Sequence, residues 1–206
     1  MGFAIAHRAV FVVALAMAFR EVSANAADPP REAASSKVNW IVPTLHTAGM
    51  LTTLRIGEAI LWPKPFAEFN TWGAHYEEAF TKPPLFDPKQ PAFRWDGDPV
   101  FINVVGHGLM GSEMYLSARR CNFGSAGAFL FAAGATTLWE FGFEGNGTRP
   151  SAQDLVYTPL MGMALGELRF AALRATERLR SRTERKILRA FFDPFGELER
   201  ALGSPC

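Results

Sequence analysis

Cysteine is scarce in this chain. Only Cys121 and Cys206 are present, too few for a disulfide scaffold or a thiolate-built metal centre. Charge is scarce as well. Asp, Glu, Lys and Arg make up 20% of the 206 residues, with a net charge of +1. That balance excludes the strongly basic surface of a nucleic-acid binder. Long apolar runs are missing beyond the N-terminal segment. The uncharged stretch from Phe123 to Trp139 reaches only the lower edge of the roughly 17–25 residues that a helical span needs. No strand pair, glycine-rich phosphate loop or internal repeat stands out. What the chain does have is apolar content: 49% of its residues are hydrophobic, which argues against disorder and for a filled core. The length suits one domain with appendages.

Residues 1–26 read as a secretory signal. His7 and Arg8 precede an apolar run from Ala9 to Phe19, and Ala24-Asn25-Ala26 offers small residues where a signal peptidase cuts. The run is too short for a bilayer span of about 20 residues. Export to the periplasm or cell envelope is therefore expected. It permits a disulfide between Cys121 and Cys206 without showing one.

The rest reads as all-α, a bundle of four to five helices with one irregular segment. Residues 27–98 hold a loose leader, a first helix from Ile41 to Trp62, and a stretch from Pro63 to Asp98. That stretch carries six of the chain's fourteen prolines interleaved with Phe66, Phe69, Trp72, Tyr76, Phe80, Phe86, Phe93 and Trp95. It is read as aromatics folded back onto the bundle, with a surface-binding element as the alternative. Residues 99–202 form the helical core domain. Its first helix is expected from Asp98-Pro99, with Asp98 as the cap, to Arg120. A second runs from Ser125 to Glu144. A third opens at Ser151-Ala152-Gln153-Asp154, a capping-box variant, and continues to about Arg180. The last, amphipathic, covers Glu184 to Leu202 with a bend near Pro194. Residues 167–189 carry eight Lys or Arg against three Glu. Such a stretch reads as a solvated face that can also meet anionic lipid. A bundle peripheral to a membrane is preferred over an integral polytopic protein, because four spans would return this basic tail to the outside.

Polar groups recur at helical spacing on these apolar helices. Asn103, His107 and Gly111 share one face, and Arg119 closes that helix. Glu140 and Glu144 lie one turn apart. Asp154, Thr158, Gly162 and Gly166 form a stripe of period four, bracketed by Asp154 and Glu167. Its small members allow another helix to approach closely. If the faces converge, His107, Glu140, Glu144 and Asp154 make an imidazole–carboxylate cluster with Arg119 as its cation. Three chemistries fit. The first is structural pairing that pins the helices. The second is acid–base work by His107 oriented by a carboxylate. The third is a divalent metal, although neither His-x-x-x-His nor Glu-x-x-His is present. No cofactor is otherwise evident. His46 and His75 lie off these helices and read as incidental. No nucleophile elbow accompanies Ser112.

These residues carry a family resemblance. Trp95-Asp96-Gly97-Asp98, Asn103-x-x-x-His107, Gly111-Ser112-x-x-Tyr115-x-x-Ala118-Arg119, Trp139-Glu140-x-x-x-Glu144 and Ser151-x-x-Asp154-Leu155-x-x-Thr158-Pro159-x-x-Gly162-x-x-x-Gly166-Glu167 together resemble the bacterial family of domain of unknown function 3943, over roughly residues 95–170. Gly108 stands where that pattern has proline, and Met114-Tyr115 where it has paired tyrosines. The resemblance implies an exported, envelope-associated helical domain without an established activity. More loosely, the layout is similar to VanZ-like membrane proteins.

Two functional expectations follow. One is a non-enzymatic envelope protein, structural or associated with membrane lipid or envelope proteins, whose cluster holds its helices. The other is a hydrolase or transferase on a lipid or envelope substrate, with His107 as base. The second requires a cleft through which solvent reaches the cluster.

Overall fold

In the computed structural model, residues 37–203 and Cys206 are described. The signal-like segment and most of the leader lie outside them. The described part is all-helical, with eight α-helices. Helix α1 covers Ile41–Leu61. Asn39 starts it by accepting the Ile41 amide at 2.9 Å, and Pro63 stops it. A short turn, α2 (Pro63–Phe66), and a ten-residue helix, α3 (Trp72–Thr81), follow. The core helices are α4 (His107–Arg120), α5 (Ser125–Leu138) and α6 (Ala152–Thr176). Helices α7 (Arg182–Phe192) and α8 (Pro194–Ala201) close the chain.

The helix count exceeds the expected four to five for two reasons. The segment between Pro63 and Asp98 has room for α3 between its prolines. The C-terminal amphipathic stretch is broken outright at Asp193-Pro194, where Asp193 caps α8 by accepting the Gly196 amide at 3.0 Å. The start expected at Asp98-Pro99 also differs. Asp98 caps nothing, and its amide donates to Asp96 at 3.0 Å. The chain enters α4 through a π-helical segment, Phe101–Gly106. A second π segment, Trp139–Phe143, continues α5. Ser151 does cap α6, its hydroxyl accepting the Asp154 amide at 3.1 Å.

Helix α4 is the axis of the bundle: almost every residue from His107 to Ala118 is buried. Its Met110, Met114, Tyr115 and Ala118 pack with Leu51 of α1, Ala128 and Ala132 of α5, and Trp139. Ala128, Ala132 and Thr136 of α5 are buried at four-residue spacing, so that helix lies flat against the core. Cys121, just past α4, is joined by a disulfide to Cys206. The proline- and aromatic-rich segment folds back in part. The Tyr76 hydroxyl donates to the Gly142 carbonyl at 2.7 Å, Phe66 stacks under the Arg55 guanidinium, and Phe93 meets Tyr157 edge-on. Phe69, Phe80 and Phe86 stay exposed. A single parallel bridge between Leu85 and Ser151 ties this segment to the start of α6.

Helices α4 and α6 make the closest crossing. A Cβ on Gly162 would stand 2.6 Å from the Gly111 carbonyl group, and one on Gly166 would stand 2.6 Å from the Tyr115 ring. Both distances are far inside van der Waals contact, and backbone cannot yield as a flexible side chain can. Gly162→Ala is expected to destabilise the fold by about 1–3 kcal/mol through overpacking, despite alanine's better helix propensity. Chemical denaturation compared with Ala133→Gly, at a half-buried position of α5, checks this. A Gly162→Ala variant as stable as the parent would contradict the crossing.

Candidate functional site

The site is assembled where the two π segments meet the start of α6. A π turn adds a residue to the helical repeat and re-aims the side chains that follow. The first π segment carries buried Asn103 and ends at His107. The second carries Glu140. Helix α6 supplies Ser151, Asp154 and Thr158. His107, Glu140 and Asp154 each offer a ligand atom within 4.8 Å of the others. They are 5%, 1% and 2% exposed.

Hydrogen bonds fix these side chains from outside. His107 Nδ1 lies 2.9 Å from the Thr158 hydroxyl and 3.8 Å from Asp154 Oδ1. Glu140 Oε2 accepts the Ser151 amide at 2.7 Å, while Glu140 Oε1 has no partner. Asp96 forms the outer wall. It accepts from the Ser151 hydroxyl at 2.6 Å and from Asn103 Nδ2 at 2.7 Å, and it shares a hydrogen bond with Asp154. Glu144, the fourth expected member, is partly buried and one step away, bonded to Glu58 of α1. The Arg55 guanidinium lies 4.0 Å from Glu58 and donates to the Phe143 carbonyl at 2.8 Å.

The cluster is therefore rich in carboxyls and poor in cations. Burial drives the shifts. It pushes His107 down to about 4, Glu58 up to about 7, and Asp154 up to about 8, where the Asp96 hydrogen bond adds to the effect. Glu140 and Glu144 are raised well above the usual range by burial and by neighbouring carboxylates. Asp96 runs the other way: burial opposes its ionisation, but the bonds from Ser151 and Asp154 outweigh it. The result is a neutral imidazole beside protonated acids, with Asp96 the ionised acceptor.

The stretch from residue 92 to 195, about half of the chain, matches the family described as Domain of unknown function (DUF3943). The chain belongs to that family. No curated protein and no solved structure matches the chain, so the looser likeness to VanZ-like proteins gains no support. Asn103, His107, Glu140, Ser151, Asp154 and Thr158 all lie within the DUF3943 stretch. Glu58 does not.

Three expectations need correction. Arg119 is not the cation of this cluster: it bonds Glu167 at 2.7 Å, at the far end of α4, where Tyr115 and Ser125 also donate to Glu167. His46 is not incidental. It sits between Glu113, at 3.4 Å, and Glu199, at 2.6 Å. Burial opposes its protonation, but the two carboxylates hold it up at about 9. The basic stretch is not wholly a solvated face either. Arg169 is drawn inward to Ser112 and Glu113, both at 2.6 Å. Arg120 joins the same network through Glu199 at 2.8 Å and Asp193 at 3.4 Å. Asp96, Asp98 and Glu58 are members of the carboxyl group that residue spacing did not single out. For Asp96 the signal was its place in Trp95-Asp96-Gly97-Asp98, read only as part of a family pattern and a helix start.

The shifts set the pH dependence of stability. A carboxyl whose folded pKa is raised disfavours the fold as pH climbs from its unfolded value to its folded one. A histidine whose pKa is raised loses its stabilising charge over the same kind of interval. Between pH 6.5 and 8.5, Asp154 and His46 act in this direction, and the raised Glu140 and Glu144 act with the same sign above the ordinary carboxylate range. His107 acts below 6.5, where protonating the unfolded chain weakens the fold. In chelator-containing buffer the Tm is expected to drop by about 3 °C or more between pH 6.5 and 8.5, and less steeply in Asp154→Asn. Differential scanning calorimetry across that window decides it. A flat or rising Tm would refute this electrostatic account.

Proposed function

We propose that this DUF3943 protein is a non-enzymatic, exported bacterial envelope protein that rests on an anionic lipid surface, with its His/carboxylate cluster holding its helices together. The observation that carries this reading is the exposed apolar face of a basic amphipathic helix. On α7, Ile187 and Phe191 lie one turn apart and are 63% and 77% exposed. Arg182 and Lys186 on the same helix are exposed too. Phe195, Leu198 and Leu202 extend the apolar strip along α8. A helix of this kind lies in a lipid interface with its apolar face among the acyl chains and its cations at the headgroups.

A neighbouring groove fits the same surface. It has a volume of about 710 Å³ and walls of Met50, Leu54, Leu109, Leu165, Leu168 and Phe191. Phe101, Val105 and Leu109 form an exposed apolar row at four-residue spacing. Arg178 and Arg180 lie exposed between α6 and α7. Among the described residues no helix is long and apolar enough to cross a membrane, which is consistent with attachment from one side. The enzymatic alternative required solvent access to the cluster. His107, Glu140 and Asp154 are sealed, and the groove does not include them.

Vesicle co-sedimentation tests the proposal. Vesicles containing phosphatidylglycerol are expected to retain the protein, more weakly at high salt, and pure phosphatidylcholine vesicles are expected to retain much less. The double variant Ile187→Ser with Phe191→Ser removes two exposed side chains and leaves the core intact. It is expected to bind at least about tenfold more weakly. Equal binding to both vesicle types, or an unaffected double variant, would overturn the proposal.

A further inference from the structure

We propose that His107, Glu140 and Asp154 bind one divalent transition-metal ion of the Zn²⁺ class, independently of any lipid attachment. The three residues come from three separate parts of the fold, and their ligand atoms fall within 4.8 Å of one another. Small side-chain adjustments bring such a set onto an ion with bonds of about 2.0–2.2 Å. One imidazole nitrogen with two carboxylate oxygens suits a borderline ion better than Ca²⁺ or Mg²⁺, which prefer all-oxygen shells.

The acceptors that remain open point the same way. Glu140 Oε1 is buried without a partner, although its twin oxygen is held by the Ser151 amide. Asn103 Oδ1 and Gln153 Oε1 are buried and unpartnered as well. Asn103 bonds Asp96, and the Gln153 amide reaches Asp154 at 3.4 Å. A buried group of open acceptors lacks a donor or a cation. Among the described residues, no lysine or arginine pairs with His107, Glu140 or Asp154.

The surrounding bonds are those a metal site needs to orient its ligands. Thr158 meets the imidazole, Ser151 holds Glu140, and the Ser151 hydroxyl links Asp96 to the Asp154 amide. Because all three ligand residues are sealed from solvent, the ion would be structural, closing the junction of both π segments with α6. An open coordination position for a substrate is not part of the proposal.

The test uses the full mature chain, stripped with chelator, dialysed, and titrated with ZnCl₂. One equivalent bound per chain by elemental analysis, with a rise in Tm, is the expected result. MgCl₂ and CaCl₂ in excess should not displace it. Glu140→Gln keeps an acceptor for the Ser151 amide and so preserves the fold, which circular dichroism verifies. It is expected to weaken Zn²⁺ binding by about 100-fold. His107→Gln provides a second arm. No stoichiometric Zn²⁺ uptake by the folded parent would overturn the proposal, as would a folded Glu140→Gln that binds like the parent.

Discussion

The crossing of α4 over α6 is the constraint on which the rest depends. Gly111 and Gly162 let two backbones touch where any side chain would hold them apart. Above that contact the same two helices bring His107 to Thr158. Below it they bring Tyr115 and Arg119 to Glu167. The apolar core, the buried cluster and the Arg119–Glu167 pair are thus consequences of one close approach. A bundle with wider spacing would leave His107 and Asp154 on separate hydrated faces, with neither the pKa shifts nor the unpartnered oxygens seen here.

Two buried polar systems flank this crossing and differ in kind. The His46–Glu113–Arg169–Glu199–Arg120–Asp193 network is balanced: each carboxylate meets at least one cation, and it joins α1, α4 and α6 to the C-terminal helices. Ion pairs of this sort fix register more than they add net stability. The His107 cluster is unbalanced. Its carboxyls crowd one another, burial keeps most of them protonated in the absence of a cation, and acceptor atoms remain open. An imbalance of that kind concentrates where a protein binds something or stores strain.

Placement of the apolar residues follows a related logic. The family stretch puts its small and polar residues inward at the crossing. Several large apolar side chains face outward, along the π segment entering α4 and along α7 and α8. Exposed single apolar residues are ordinary. A row of them beside a groove and a set of cations is the feature on which the proposed lipid attachment rests.

Much of the fold was legible in residue order. Pro63 and the Ser151 cap mark helix limits because they act through local backbone geometry, which needs no knowledge of the rest of the chain; Pro194, expected only to bend its helix, ends one outright. The identity of three cluster residues was legible for the same reason: a histidine or glutamate on an apolar helix face is anomalous wherever that helix docks. Helical spacing did not reveal the π turns, since a single inserted residue leaves no mark in a hydrophobic pattern. Nor did it give the partners. Arg119 turned to Glu167 and not to the cluster, His46 proved to be a network centre, and Asp96 and Glu58 joined the carboxyl group from outside the helices that seemed to matter. Sequence by itself determined the all-α class, the core helices, several of their ends and the polar residues they carry, because those depend on neighbours within a few positions. Only the tertiary structure decided which charges meet, because pairing is fixed by how closely the helices cross and by residues brought together from dozens of positions apart.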